Sequence, residues 1–320
     1  MAANWASDWA SLDTGTGRRP VLRFERRLAH PPEKVWRAIT EPEELAHWFP
    51  ARVDAELKPG AAMRFTFTDH DLDDTEGEIL EFDPPRLFAF RWDRDVLRFE
   101  LVADGSGCRL LFTHTLGEGG FWGGKRSAPR NAAGWDVCLA MLAARLDGRP
   151  PRPDETDWFA RDAHYVEAFG LAEGEVRAEG DGFVLRFERD LVTPLDEVWA
   201  NLTGRADLMV GAAPPAECAN AYVPVGPLTA VEPPRALAYT WLHDGAPAGQ
   251  VRWELSPQPV GCWLVLTQTV PARLADRRAT ALAAWHTHLE LLAEALHKEP
   301  RPWPDARMDE LARRYADRLG

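Results

Sequence analysis

The chain has 320 residues, a length that accommodates two domains of ordinary size, and an apolar content of 45% that lets each half bury a core. Its net charge of −13 argues against binding to nucleic acid or to anionic membrane surfaces. The four cysteines form no CxxC pair and are interpreted as reduced thiols. Because the sequence shows neither a signal peptide nor a long apolar run, we predict a cytoplasmic protein without membrane insertion.

An internal repeat organises the chain. Residues 21–40 (VLRFERRLAHPPEKVWRAIT) align without a gap with residues 184–203 (VLRFERDLVTPLDEVWANLT), and 11 of these 20 positions are identical. Three further blocks recur in the same order: 83–92 with 232–241, 96–116 with 250–270, and 134–146 with 284–296. The same register continues to the ends of the copies, where Tyr165 pairs with Tyr315. The sequence therefore predicts two tandem copies of one module.

The first copy begins with a strand over residues 21–28. PPEKVWRAI then predicts a helix that starts with proline, and residues 41–48 predict a second short helix. Residues 52–57, 63–69 and 75–82 leave room for two or three strands. Period-2 patterns occur at 63–68, 87–92 and 97–101, and short turns between adjacent strands indicate an antiparallel meander. The last element is a long helix with a continuous apolar stripe at Trp135, Leu139, Leu142 and Leu146.

These elements predict an α+β protein in which the long helix of each module covers one face of a curved antiparallel sheet. We divide the chain into an N-terminal extension (1–20), a first module with a tail helix (21–170), a linker (171–182) and a second module with a tail helix (183–320). Between the first two repeated blocks the second copy is 14 residues shorter, so we expect its sheet to be smaller.

Several of these motifs resemble one known family. They are the PxxKVWxAIT-type helix, the segment ending in Trp48-Phe49-Pro50, the PPxxLxFxW strand and the closing GWxxCLxxL helix. Together they are similar to the START/Bet v 1-like (SRPBCC, helix-grip) family, of the Hsp90-ATPase-activator-homologue type. The resemblance covers residues 20–170 closely and 183–320 more loosely. It implies a sheet that grips the long helix and leaves an elongated apolar cavity between them.

The resemblance and the strand pattern together select candidate ligand-binding residues in the first module. They are Trp48, Phe65, Phe67, Phe88, Phe90, Trp92, Phe99, Phe112, His114, Trp122, Trp135, Leu139 and Leu142. The alternative is that these side chains simply fill a core, as period-2 aromatic residues usually do. For the shortened second module we favour a scaffolding or lid role.

Sites for chemistry are scarce in the sequence. His114 lies on an apolar strand face and is only a weak candidate for proton transfer. We therefore predict no catalytic residue. The stretch 119–127 (GGFWGGKRS) matches part of a phosphate-binding loop, but Arg126 stands where a hydroxyl is required. We interpret it as a loop at the cavity mouth. His286 and His288 are two apart on a helix and point to different faces, so neither a metal nor a cofactor is predicted.

The functional hypotheses fall into three classes. The first is a non-catalytic protein that binds a polyketide-like or lipid-like molecule, in natural-product biosynthesis or in self-resistance, as the resemblance to members from enediyne pathways implies. The second is a cyclase or aromatase acting on a polyketide-type substrate. The third is an Hsp90-type co-chaperone, which the family name suggests. The only predicted partner is a hydrophobic small molecule, and the oligomeric state is left open.

Overall fold

The computed structural model describes residues 9–67, 73–119, 123–150, 152, 157–298 and 300–320. The chain divides into two compact units, residues 1–169 and 170–320, and each has its own apolar core. The described residues form seven α-helices and two antiparallel sheets of eight and six strands. The predicted α+β class and the pair of helix-grip modules are thereby confirmed. No helix in the described ranges is both long and apolar enough to cross a membrane.

Eight strands form the sheet of the first unit: β1 (Ser11–Asp13), β2 (Val21–Leu28), β3 (Arg52–Ala55), β4 (Ala62–Thr66), β5 (Thr75–Asp83), β6 (Leu87–Trp92), β7 (Asp95–Asp104) and β8 (Gly107–Thr115). Their order across the sheet is β1-β2-β8-β7-β6-β5-β4-β3. Alternate residues of β2 are buried, from Leu22 to Leu28, because one face of the sheet meets the core and the other meets water.

Four helices belong to the first unit: α1 (Pro32–Thr40), α2 (Pro42–Leu45), α3 (Ala128–Leu146) and α4 (Trp158–Ala168). All four predicted stripe residues of α3 are buried. The second predicted helix is shorter than expected. It ends at Leu45, and the backbone continues in tighter turns, with Trp48 N–H bonded to the Leu45 carbonyl at 3.1 Å. This tightening turns Trp48 and Phe49 into the core, where both are buried.

The second unit repeats this plan with fewer strands. Its strands are β9 (Glu175–Glu179), β10 (Gly182–Leu191), β11 (Val225–Glu232), β12 (Ala236–His243), β13 (Ala246–Pro257) and β14 (Cys262–Pro271), and its helices are α5 (Leu195–Leu202), α6 (Arg278–Ala295) and α7 (Asp305–Leu319). The strand order is β11-β12-β13-β14-β10-β9. Across the described part of this unit, β3 and β4 have no counterparts, which confirms the predicted loss of sheet.

Backbone hydrogen bonds show where the shortening lies. In the first unit, Gly60 N–H donates to the Ile79 carbonyl at 2.8 Å; in the second, Gly211 N–H donates to the Leu228 carbonyl, also at 2.8 Å. Gly60 lies 20 positions after Thr40, whereas Gly211 lies only eight after Thr203, the residue aligned with Thr40. Twelve of the fourteen missing residues are therefore lost from the stretch that carries Trp48, Phe49 and β3 in the first unit.

Both units begin with an edge strand. The repeat boundaries predicted from the sequence did not include these strands. β1 pairs Ser11 with Arg23, and β9 pairs Glu175 with Arg186, which is the counterpart of Arg23. The segments assigned to an extension (1–20) and a linker (171–182) thus each contain a strand of the sheet. The sequence did not reveal them because SLD and EVRAE share no residue pattern, and an edge strand has little buried side-chain area to impose one.

A tyrosine of each tail helix holds the residue before that edge strand. The Tyr165 hydroxyl accepts the Ala10 N–H at 2.9 Å and donates to Asp136 at 2.7 Å. The Tyr315 hydroxyl accepts the Gly174 N–H at 3.0 Å. The tail helices therefore belong to the modules, and each module extends N-terminally to these contacts.

Candidate ligand site

Twelve of the thirteen candidate residues lie in the described part of the first unit, and Trp122 lies outside the described residues. Eleven of the twelve are at most 3% exposed, and Phe67 is half-buried at the margin of the core. The sequence pattern was therefore sufficient to find the inward face of the sheet.

The aromatic side chains come from β4, β6, β7 and β8 and stack on one another, the rings of β4 and β6 meeting across β5. Phe65 of β4 stacks on Trp92 of β6 with ring centroids 4.3 Å apart. Phe99 of β7 faces Phe112 of β8 across the ladder, and their centroids are 4.4 Å apart. Such ring pairs stabilise a sheet beyond the area that they bury, by about 0.5–1.5 kcal/mol each. The layer is continuous from β4 to β8, opposite α3.

Gly77 on β5 makes room for this stacking. A Cβ at this position would lie 2.1 Å from the Arg91 carbonyl oxygen and 2.8 Å from the Phe65 ring. Because Arg91 contributes backbone that cannot move aside cheaply, only glycine allows Phe65 to lie flat over the strand.

The central ring of the interior is one that the sequence did not select. Phe49 lies in the connection between α2 and β3, yet its ring centroid is 5.2 Å from that of Trp92 and 5.8 Å from that of Trp135. It also contacts Phe65 and Phe90, each at 6.3 Å. Phe49 thus fills the space between the sheet and α3 from a loop. The apolar pair Trp48-Phe49 directly after a short helix was the available signal.

His114 belongs to a buried hydrogen-bonded chain with Asp95 and Trp135. Its Nε2 lies 2.6 Å from Asp95 Oδ2, and its Nδ1 accepts the indole N–H of Trp135 at 2.9 Å. Asp95 also accepts the Gly117 N–H at 2.6 Å, and the side chains of His114 and Asp95 are completely buried. Since both ring nitrogens are engaged, the imidazole presents no nitrogen to a substrate. Sequence reasoning missed Asp95 because it lies in a turn-like DRD segment.

The second unit keeps the indole contact but removes the ionisable pair. Gln268, the counterpart of His114, accepts the Trp285 N–H at 2.6 Å. Gly249 occupies the position of Asp95, and a Cβ there would lie 2.3 Å from the Thr269 carbonyl oxygen. The same interior position thus serves indole packing in both units without requiring a histidine.

Two residues bring hydrogen-bonding side chains into the second interior: Tyr239 and His288 stand where the first unit has Phe90 and Cys138. The Tyr239 hydroxyl donates to the Cys218 carbonyl at 2.6 Å, and His288 Nε2 lies 3.0 Å from the Glu217 carbonyl. Burial lowers the pKa of His288 to about 4, so the ring is neutral and donates through Nε2. The turn at 216–218 (Ala216–Cys218) thereby closes this interior with backbone carbonyls.

One protein-family model matches both units of the chain. The family model described as Activator of Hsp90 ATPase homolog 1-like protein matches residues 29–147 and 215–297, one segment in each unit and more than half of the chain in total. No curated protein matches the chain.

Solved structures resemble parts of the chain. A conserved protein of unknown function from Enterococcus faecalis is 22% identical over 52% of this chain and 92% of its own, with a TM-score of 0.43. CalU16 from Micromonospora echinospora is 20% identical over 51% of this chain and 94% of its own, with a TM-score of 0.39. DynU16, from the dynemicin biosynthetic locus, is 18% identical over 87% of this chain and 99% of its own, with a TM-score of 0.38.

Proposed function

Because the chain belongs to the Activator of Hsp90 ATPase homolog 1-like family, with both units matched, we propose that its first unit binds a hydrophobic small molecule between the sheet and α3. A polyketide-like or lipid-like ligand, and a place in natural-product biosynthesis or self-resistance, are parts of this proposal. The site comprises the described candidate residues and Phe49.

The observation that carries the proposal is the origin of the Phe49 ring. Phe49 comes from the connection between α2, which ends at Leu45, and β3, which begins at Arg52. Its neighbour Trp48 comes from the same connection, but the Trp48 indole N–H is bonded to the Ala38 carbonyl at 2.8 Å. The other rings around Phe49 stand on strands or on α3. A ring from a connection can leave without breaking a ladder or a helix. We therefore assign the space between Trp92 and Trp135 to the ligand, with Phe49 occupying it when no ligand is bound.

The energetics of this exchange are close to balanced. A buried phenylalanine removes about 150–250 Å² from water. A ligand that covers the same surface replaces that burial, and a longer ligand adds to it at about 25 cal/mol/Å². Only protein molecules in which the Phe49 ring has moved out can bind the ligand. The apparent affinity is therefore the intrinsic affinity multiplied by the fraction of such molecules. We expect weak binding of short probes and tighter binding of elongated ones.

The geometry favours binding over the cyclase or aromatase alternative. Proton transfer requires a titratable group within reach of the substrate, and His114 is engaged at both nitrogens by Asp95 and Trp135. The co-chaperone alternative has only the family name in its support.

The test uses N-phenyl-1-naphthylamine, an elongated neutral probe whose fluorescence rises in apolar sites. Leu139→Trp fills the space beneath α3 of the first unit, and Leu289→Trp makes the same change at the aligned position of α6. Each overpacking substitution costs about 1–3 kcal/mol of stability, so the two variants control for one another. We expect Leu139→Trp to abolish binding, Leu289→Trp to preserve it, and Phe49→Ala to tighten it.

Equal binding by the two tryptophan variants would place the probe elsewhere, and absence of binding to both the parent protein and Phe49→Ala would show that the rings form an ordinary core. Native mass spectrometry of freshly purified protein provides an independent measurement, since a co-purified apolar molecule would reveal the ligand directly.

A further inference from the structure

The second unit has a pocket of about 330 Å³ where its chain is shortened. We call it the 203–228 pocket, and its lining includes Leu208, Met209, Pro215 and Leu228 together with the acidic residues Asp207 and Glu217. Its volume lies at the lower end of the range typical of small-molecule sites, about 300–1,000 Å³.

The missing residues explain why a pocket lies here. The first unit crosses from Thr40 to Gly60 with α2, Trp48, Phe49 and β3, whereas the second crosses from Thr203 to Gly211 in eight positions. This short path turns sharply through consecutive left-handed residues, Gly204 at φ 56° and Arg205 at φ 59°. No ring corresponding to Phe49 is left in that path, so the surface beside Leu228 stays open.

The turn at 216–218 shapes one wall of the pocket. The carbonyls of Glu217 and Cys218 are held by His288 and Tyr239, so the backbone of this turn is fixed on the interior side. The Glu217 carboxylate lies against Gly204, where a Cβ would be 2.9 Å from Oε1. Glycine at this position is thus needed for two reasons: its left-handed backbone and the close approach of the carboxylate.

The lining combines apolar surface with uncompensated negative charge. Leu208, Met209, Pro215, Leu228 and the alanines of the pocket supply apolar contact. Within the described chain neither carboxylate has an ion-pair partner, and no lysine, arginine or histidine lines the pocket. The Thr203 hydroxyl is already bonded to the Trp199 carbonyl at 2.8 Å. An apolar body with a positive charge complements this surface, whereas an anion does not.

We propose that the 203–228 pocket binds a small hydrophobic cation, a primary or substituted amine with an aliphatic or aromatic body. The ammonium group bonds to the carboxylates of Asp207 and Glu217, and the body lies on Leu208, Met209 and Leu228. The site is in the second unit and does not depend on the ligand proposed for the first.

The experiment compares three probes of one shape: 4-phenylbutylamine, 4-phenylbutan-1-ol and 4-phenylbutyrate. Binding is followed by the methyl resonance of Met209 in protein labelled at the methionine methyl groups, assigned through Met209→Leu. We expect the amine to shift this resonance in a saturable way at millimolar or lower concentration, as is usual for a ligand of this size. The alcohol should bind at least about tenfold more weakly, a difference of about 1.4 kcal/mol, and the butyrate weaker still.

Charge-neutralising variants separate this site from general apolar adsorption. Asp207→Asn and Glu217→Gln should each weaken the amine about fivefold while leaving the alcohol unchanged. Glu56→Gln removes an exposed carboxylate of the first unit and should have no effect. Ala213→Trp, which fills the pocket from an exposed position, should abolish the shift.

Equal affinity for amine and alcohol would overturn the assignment of a cation, and so would amine binding that survives both charge variants. No saturable shift with any probe would overturn the site itself.

Discussion

Replacing His114 by alanine is expected to destabilise the first unit much more than replacing Gln268 by alanine destabilises the second. Both side chains accept an indole N–H from the long helix of their unit. Only His114 also holds a buried carboxylate, that of Asp95, through a contact of 2.6 Å. The two substitutions remove acceptors at aligned positions, so their difference isolates the Asp95–His114 contact.

The magnitude follows from what each substitution leaves unpaired. Gln268→Ala leaves the Trp285 N–H without an acceptor, which costs about 1–3 kcal/mol for a buried neutral group. His114→Ala leaves the Trp135 N–H in the same state and also removes the hydrogen bond between His114 Nε2 and the buried Asp95 side chain, and a hydrogen bond to a charged group contributes about 1.5–3 kcal/mol. We therefore expect His114→Ala to be the more destabilising by about 1.5–3 kcal/mol. His114→Gln, which restores the acceptor alone, should lie between.

The assay is urea unfolding followed by hydrogen exchange, because a chain of two units can unfold in more than one transition. Exchange of the Trp135 and Trp285 indole protons assigns each loss of stability to its unit. The Asp95–His114 contact contributes little to stability if His114→Ala and Gln268→Ala lower the free energy of unfolding equally, or if His114→Gln lowers it as much as His114→Ala. Either result would refute the reasoning.

Three further predictions concern pH, the edge strands and the thiols. Burial lowers the pKa of His288 from 6.5 to about 4. Between these two pH values the unfolded chain binds more protons than the folded one. The stability of the second unit should therefore fall as the pH drops through that window, by up to about 3 kcal/mol. His288→Cys, which introduces the residue found at position 138, should flatten this dependence in denaturation curves measured from pH 7 to pH 4. Tyr165→Phe removes the hydroxyl that links Ala10 to Asp136 and should cost about 1–3 kcal/mol of stability, with faster amide exchange at Ala10. Tyr315→Phe should have the same effect at Gly174. Unchanged exchange at both amides would contradict the role of the tyrosines in holding the edge strands. Burial raises the pKa values of Cys138, Cys218 and Cys262 to about 12, so these thiols should react with a disulfide reagent at pH 8 far more slowly in the native than in the unfolded protein.

The sequence alone determined the duplication, the fold class and the inward faces of the main elements. Strand β2 occupies the predicted residues 21–28, and the stripe from Trp135 to Leu146 is buried on α3. These features follow from periodicity, since a strand buries every second residue and a helix buries residues three and four apart. The smaller sheet of the second unit could also be predicted, from the difference in length between the aligned copies.

Only the tertiary structure decided which side chains meet. Phe49 was part of a recognised motif, but its place between Trp92 and Trp135 depends on how the connection after α2 turns inward. The Asp95–His114 contact joins residues 19 positions apart, and β1 and β9 are strands only because the ladder and a distant tyrosine hold them. Periodicity records which face of an element is buried, whereas contacts between elements depend on backbone direction and side-chain rotamers, which a single sequence does not encode locally.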